Sequence, residues 1–157
     1  MVARVETVAG TELYIAVGQP ATFDEAGYDT TDMLWTLIGE ITDAGEHGRE
    51  YAEVTHMPIS SRGVQKYKGS FNEGTKTLQL ALDDDDPGQV ILKAALASDN
   101  DYSFKVEYQG GAKDFFQAKV MSLKKAATSV DTIRSATVNL SITTNSSGIG
   151  IVEVAAP

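Results

Sequence analysis

One segment limits the fold more than any other. Leu78 to Asp99, LQLALDDDDPGQVILKAALASD, passes from a strand pattern to a helical one within a few residues. Leu78, Leu80 and Leu82 alternate with Thr77, Gln79 and Ala81, and the run ends in four consecutive aspartates and a proline. Asp86 suits the N-cap of a helix, Pro87 its first turn, and Gln89 the third position of a capping box. Ile91, Leu92, Ala95 and Leu96 then share one face at the helical period, and Ser98, Asp99 and Asn100 end the element. The spacing predicts one helix over about 86–98, set in a chain otherwise patterned as strands.

Before that helix, Glu12 to Val17 alternates, with Leu13, Ile15 and Val17 on one side. Gly18 to Asp32, rich in Gly, Asp, Thr and Pro, reads as a long ordered loop, with Phe23 and Tyr28 as aromatic anchors. Met33 to Ala44 reads as one strand carrying Trp35, Leu37 and Ile41 on its core face, with a bulge or a close backbone approach at Gly39. Gln65–Phe71 and Thr75–Leu82 flank Asn72-Glu73-Gly74, a hairpin-type turn. After the helix, Tyr102–Tyr108 and Asp114–Leu123 alternate around Gln109-Gly110-Gly111-Ala112. Ala136, Val138, Leu140 and Ile142 form the longest apolar alternation, against Ser135, Thr137, Asn139, Ser141 and Thr143. A short strand within Ile149–Val154 closes the chain. One apolar and one hydroxyl-rich face per strand describe an antiparallel sandwich or barrel.

The interval from Asp43 to Gly63 breaks this rule. It is polar on both faces, bounded by glycine, and carries Asp43, Glu46, Glu50 and Glu53. A hairpin without an apolar face has nothing to bury against its own core, so it is expected to be mobile at about 43–63 and to order on a second copy of the chain.

The 157 residues suit a single domain. Acidic residues outnumber basic ones 22 to 13, which repels nucleic-acid phosphate. No cysteine is present, which removes disulfides, thiolate metal sites and cysteine nucleophiles together. His47 and His56 lack the spacing of a metal pair, and the aspartate run lacks the spaced ligands of a calcium loop. No nucleophile elbow, phosphate loop or dinucleotide fingerprint occurs. The sequence therefore names no catalytic residue, cofactor or metal. No apolar run is long enough for a membrane-spanning helix, and the N-terminus lacks a signal-peptide core.

Taken in order, LYIAVG, LWTLIGEITDAGE, an acidic hairpin, KYKGSFNEGTKTLQLAL, DDPGQVILKAAL, YSFKVEYQGG, DFFQAKVMSLKK and TIRSATVNLSITT resemble the major tail tube proteins of long-tailed, non-contractile bacteriophages. The resemblance runs from about Thr11 to Val154. It implies a mainly β, barrel-forming tail tube fold with one flanking helix. Hexameric rings of it would stack into a hollow tube through which DNA is delivered. It also implies a virion location after synthesis in the host cytoplasm, with tape measure and tail terminator or tip proteins as partners. Inner-tube proteins of contractile or secretion-type machines are a sister reading, and a β-sandwich binding or decoration module is a reading of another class.

For a tube, Glu40, Asp43, Glu50, Glu53 and Glu107 are lumen candidates. The assembly-interface candidates are Glu46, His47, Arg49, Tyr51, His56 and Arg62 in the hairpin, with Phe23 and Tyr28 in the loop.

Overall fold

The computed structural model describes residues 5–157. Ten strands and two helices follow one another as β1 (Glu12–Ala16), α1 (Glu25–Tyr28), β2 (Thr36–Leu37), β3 (Ile41–Asp43), β4 (Glu50–His56) and β5 (Gln65–Asn72). Then come β6 (Thr75–Ala81), α2 (Pro87–Leu96), β7 (Tyr102–Glu107), β8 (Lys113–Ala126), β9 (Ser135–Thr143) and β10 (Val152–Val154). Eight strands form one antiparallel sheet in the order β2-β1-β7-β8-β9-β6-β3, with β10 paired to β8. The sheet curls into a half-barrel around the core, so the expected mainly β, barrel-forming fold is present as one sheet rather than two stacked ones.

Period-two patterning sets the inner wall. Leu13 and Ile15 of β1, Leu78 and Leu80 of β6, Phe104 and Val106 of β7, Phe116, Ala118 and Val120 of β8, and Ala136, Val138, Leu140 and Ile142 of β9 all point inward and are buried. Phe104 and Phe116 are in register and stacked, with ring centroids 5.5 Å apart. Leu92 and Ala95 of α2 complete this core.

The helix closes the seam where β2 hands over to β3. Asp86 caps it: the carboxylate accepts from the backbone N–H of Gln89 at 3.0 Å and from that of Gly39 at 3.1 Å. Gln89 does not reach back to the cap residue as a capping box would. Its amide donates to the carbonyls of Gly39 and Ala81, and its oxygen accepts from the N–H of Asp83, so one buried side chain holds three backbone groups. Gly88 lets the helix come this close, since a Cβ there would fall 2.2 Å from the Leu37 carbonyl oxygen.

Three expectations change. The Met33–Ala44 strand is two short strands on opposite edges of the sheet, broken at Ile38–Glu40, where Glu40 takes a φ of 60°. Buried Ile38 turns into the core while Leu37 is exposed, and Trp35 lies on the other face of the sheet, against Phe115. The Gly18–Asp32 loop contains a second helix, the single turn α1, capped by Asp24. Finally, β5 does not pair with β6. Its partner is β4, and the two form a separate two-stranded arm.

The arm and its root as candidate functional site

The arm is the one element pair that owes nothing to the core. Every residue of β4 is exposed, as are most of β5. Register places Tyr51, Glu53 and Thr55 with Phe71, Lys68 and Lys66 on one face, and Ala52, Val54 and His56 with Tyr67 and Gln65 on the other. A bulge between these pairs occurs at Gly69, where a Cβ would come within 2.9 Å of Val54. Neither face carries a continuous apolar stripe. The polar hairpin expected over 43–63 is therefore shifted along the chain: its strands span 50–56 and 65–72, because Gly45–Gly48 is not a hairpin turn but a strap leading into the arm.

That strap is pinned by alternate side chains. His47 Nε2 lies 2.7 Å from Asp114 Oδ2, and Lys76 Nζ lies 3.0 Å from His47 Nδ1. The Tyr108 hydroxyl donates to the same Asp114 oxygen at 2.7 Å. Burial would raise the Asp114 carboxyl. The hydrogen bonds from His47 and Tyr108, with the charges of His47 and Lys76, outweigh it and hold the group below its ordinary value. Burial lowers Lys76 to about 8, only partly offset by Asp114 and Asp43. Two residues on, Arg49 Nε donates to buried Glu73 at 2.6 Å, and its guanidinium lies 3.8 Å from the Phe71 ring centroid.

The candidate residues divide among these surfaces. Glu50 and Glu53 stand on the arm, on opposite faces by register. Glu40 and Asp43 sit at the β3 edge, and Glu46 is exposed on the strap. Glu107 lies at the end of β7, opposite Lys113 and Glu12 in register and 3.9 Å from Lys105 Nζ. His47 and Arg49 are at the arm root, Tyr51 and His56 on the arm, and Arg62 in its exposed tip loop beside Met57 and Ile59.

Tyr28 requires correction as a direct contact residue. It is fully buried, stacked on Phe115 at 5.1 Å, and accepts from Gln117 Nε2. Phe23 meets it edge-on at 6.2 Å. Both act as the anchors that hold the loop over the outer face of β8, leaving Tyr28 no surface to offer another chain.

Sequence reading missed Lys76, Asp114 and Glu73. A signal for the first two existed in the alternation: Lys76 shares the parity of Leu78 and Leu80, and Asp114 that of Phe116 and Ala118. A charge on the apolar side of a strand calls for a buried partner. The aspartate run serves structure, since Asp86 caps α2 and Asp84 pairs with Lys93 and Arg134 at 3.1 and 3.3 Å. No cluster of three or more metal-ligating side chains occurs among the described residues.

A second feature is an open sheet edge. β7 covers β8 only as far as Ala118, so from Lys119 to Ala126 that edge of β8 has no partner strand among the described residues, and Met121, Lys124 and Lys125 are exposed. Beside it, the outer face of β6 and β9 presents Thr75, Thr77, Gln79, Thr137, Asn139, Ser141 and Thr143, with Thr77 and Asn139 hydrogen-bonded at 2.8 Å.

Among solved structures, the fold is similar to the sheath/tube terminator of an extracellular contractile injection system, with a TM-score of 0.68 at 10% identity over 99% of this chain and 100% of that one. A chain of the anti-feeding prophage baseplate gives 0.64 at 7% identity over 99% of both. The SPP1 tail tube protein gives 0.58 at 12% identity over 94% of this chain and 78% of that one. No curated protein sequence matches. The family model for the lambda phage tail tube protein matches residues 21–148, from the anchoring loop through the whole of β9, and the chain belongs to that family.

Proposed function

We propose that this protein is the repeating subunit of a phage tail tube, a virion component whose rings stack into a hollow conduit for DNA. The observation that carries the reading is the arm. A two-stranded element exposed on both faces is unfavourable in an isolated chain, because its ordering is offset by no buried surface of its own. It becomes favourable when a second copy covers it. The unpaired β8 edge from Lys119 to Ala126 supplies a site of the required kind: backbone donors and acceptors in a row, ready to extend into a neighbouring subunit's strands. Repeating that contact around a ring removes free edges, and stacking rings head to tail extends the assembly without limit. Hexameric rings follow from the family.

Such a tube has a wall built for passage. The hydroxyl and amide face of β6 and β9 offers no cationic row to phosphate, and a net charge of -9 keeps the surrounding field repulsive. Glu40, Asp43 and whichever of Glu50 and Glu53 faces inward are the acids proposed for the bore. Glu107, held beside Lys105, is not needed there. Glu46, Tyr51, His56 and Arg62 are proposed contacts between copies, and Phe23 and Tyr28 support the loop from beneath. A structural subunit has no use for a catalytic centre, a cofactor or a metal. Its further partners would be the tape measure threaded through the bore and the proteins that terminate and tip the tail.

Electron microscopy of concentrated protein tests this directly. Tubes of uniform diameter are expected for the full chain. Replacing Glu50–Asn72 by a short Gly-Ser bridge is expected to leave a folded monomer and no tubes, since those residues are partners at the arm's open end. Tubes of normal diameter from the armless chain would overturn the role given to the arm. A chain that stays monomeric at high concentration, and is recruited by no tail assembly factor, would overturn the whole reading.

A further inference from the structure

The arm is joined to the barrel through a strap of a few residues, and that strap carries an unusual density of polar side chains inside the protein. His47 is 11% exposed and Asp114 15%, while Lys76 is 1% exposed on the inward face of β6. The charge on Lys76 sets the direction of the protons. An ammonium only donates, so His47 Nδ1 must accept from Lys76, which leaves the ring proton on Nε2 to be donated to Asp114. Lys76 also reaches the Gly45 carbonyl at 3.5 Å. Gly45 itself, at φ 67°, presses so closely on β6 that a Cβ would fall 2.0 Å from the Thr77 carbonyl oxygen. Two residues after His47, Arg49 makes the second attachment, to Glu73, whose other oxygen accepts from the N–H of Ile151 at 3.4 Å. His47 and Arg49 therefore grip the barrel at two points, and β4 begins at the next residue.

We propose that His47 and Arg49 are positioning residues for assembly, fixing the direction in which the arm leaves the barrel, and that acid releases the His47 grip while leaving the Arg49 grip in place. This rests on the arm's role in the tube. Protonating the imidazole puts an N–H on Nδ1, pointed at the Lys76 ammonium; donor then faces donor, and a second cation stands beside the first. Other charged groups face this site as well. Asp114 of β8 and Asp43 of the preceding strand lie on the side of Lys76, and Glu46, Glu153 of β10 and the Arg49–Glu73 pair line the cleft outside the ring. Glu6 lines the cavity on the inner side, together with His47, Lys76 and Tyr108. Tyr108 stays protonated throughout, its hydroxyl raised by burial and by Asp114. The Arg49 attachment is a guanidinium, charged at every pH in question, held directly on the deeply buried Glu73 side chain.

Hydrogen exchange of the full chain, kept dilute enough to remain unassembled, tests the relay at Ala44–Tyr51. After correction for intrinsic rates, strap amides of the wild type are expected to exchange about tenfold or more faster at pH 5 than at pH 7, while β7 and β9 amides stay unchanged. His47→Gln keeps one acceptor and one donor but cannot be protonated, so its strap is expected to be equally protected at both values. His47→Leu is expected to lose protection at both. Should leaving Lys76 unpaired prevent that variant from folding, the triple change His47→Leu, Lys76→Met and Asp114→Asn removes the relay without stranding a charge, and the same loss is expected. Wild type and His47→Gln responding alike to acid would overturn the proposal, as would full strap protection in the leucine variants. Tube formation is scored separately at higher concentration. Its absence in every chain, wild type included, would count against the tube reading, while the exchange data would still decide the relay.

Discussion

The seam closed by α2 and the arm built from β4 and β5 are the two places where this chain departs from plain strand alternation, and they are stabilised in opposite ways. At the seam, each polar group that leaves solvent has a named partner, and Leu92 and Ala95 sit in the core. In the arm, the two strands pair with each other through a ladder broken only by the bulge at Gly69, and the outer edges and both faces are left to solvent. A seam of the first kind is finished within one chain. An arm of the second kind is finished by another chain. The contrast teaches where to look for assembly in a fold without a catalytic centre: at the ordered element whose own burial does not account for its order.

The contrast can be broken most forcefully in the core. Leu92→Ala removes a fully buried side chain beneath the seam and is expected to cost about 2–5 kcal/mol of unfolding free energy, read from denaturant midpoints. If the helix were a dispensable flank, the loss would stay near zero.

A smaller effect lies at the arm's root and depends on pH. Burial lowers Lys76 to about 8 from its usual 10.5. Between those values the unfolded chain keeps a proton that the folded chain has released, so stability gained from this group rises with pH across the window and is flat below it. The rise is bounded at about 3 kcal/mol by the size of the shift. Lys76→Met is expected to abolish it, which is measured as the wild-type minus variant difference in denaturation midpoint at pH 7.5 and pH 10. A constant difference would show that the fold does not depress the lysine.

Asp86→Ala comes next, at about 0.5–2 kcal/mol for a lost N-cap. The upper part of that range is expected, because the same carboxylate also holds the Gly39 N–H. A cost at the bottom of the range would mean that water replaces the second bond.

The seam and the barrel were largely legible in the sequence because their signals are local. Asp86, Pro87 and the Leu92 face define α2 without reference to anything distant, and Val138, Leu140 and Ile142 define β9. The β4–β5 pairing was not legible. Gly74 does turn the chain, with a φ of 83°, but β6 carries Leu78 and Leu80 into the core and takes β9 as its neighbour, whereas β5 has no apolar alternation with which to follow. The relay at the strap was half legible, since Lys76 and Asp114 announce themselves by parity but nothing in the sequence pairs them with His47 across 29 and 67 positions.

The smallest expected change in stability carries the most information about assembly. Val54 and Tyr67 are directly opposite each other on the arm, about half exposed, and touch no part of the core. Cross-strand pairs of this kind contribute roughly 0.2–1 kcal/mol, and only to the arm itself. Changing both to serine is therefore expected to leave the global unfolding midpoint within about 0.5 kcal/mol of wild type, as for surface positions in general. If a second copy covers that face, the same change is expected to raise sharply the protein concentration needed for tubes, because two half-buried side chains at every subunit contact are lost together. Unchanged stability with unchanged assembly would place the contact on the other face, that of Tyr51, Glu53 and Lys68. The Glu53→Lys variant then separates a contact from a bore-facing acid: at a contact it blocks tubes, and in the bore it leaves tubes intact and slows DNA release.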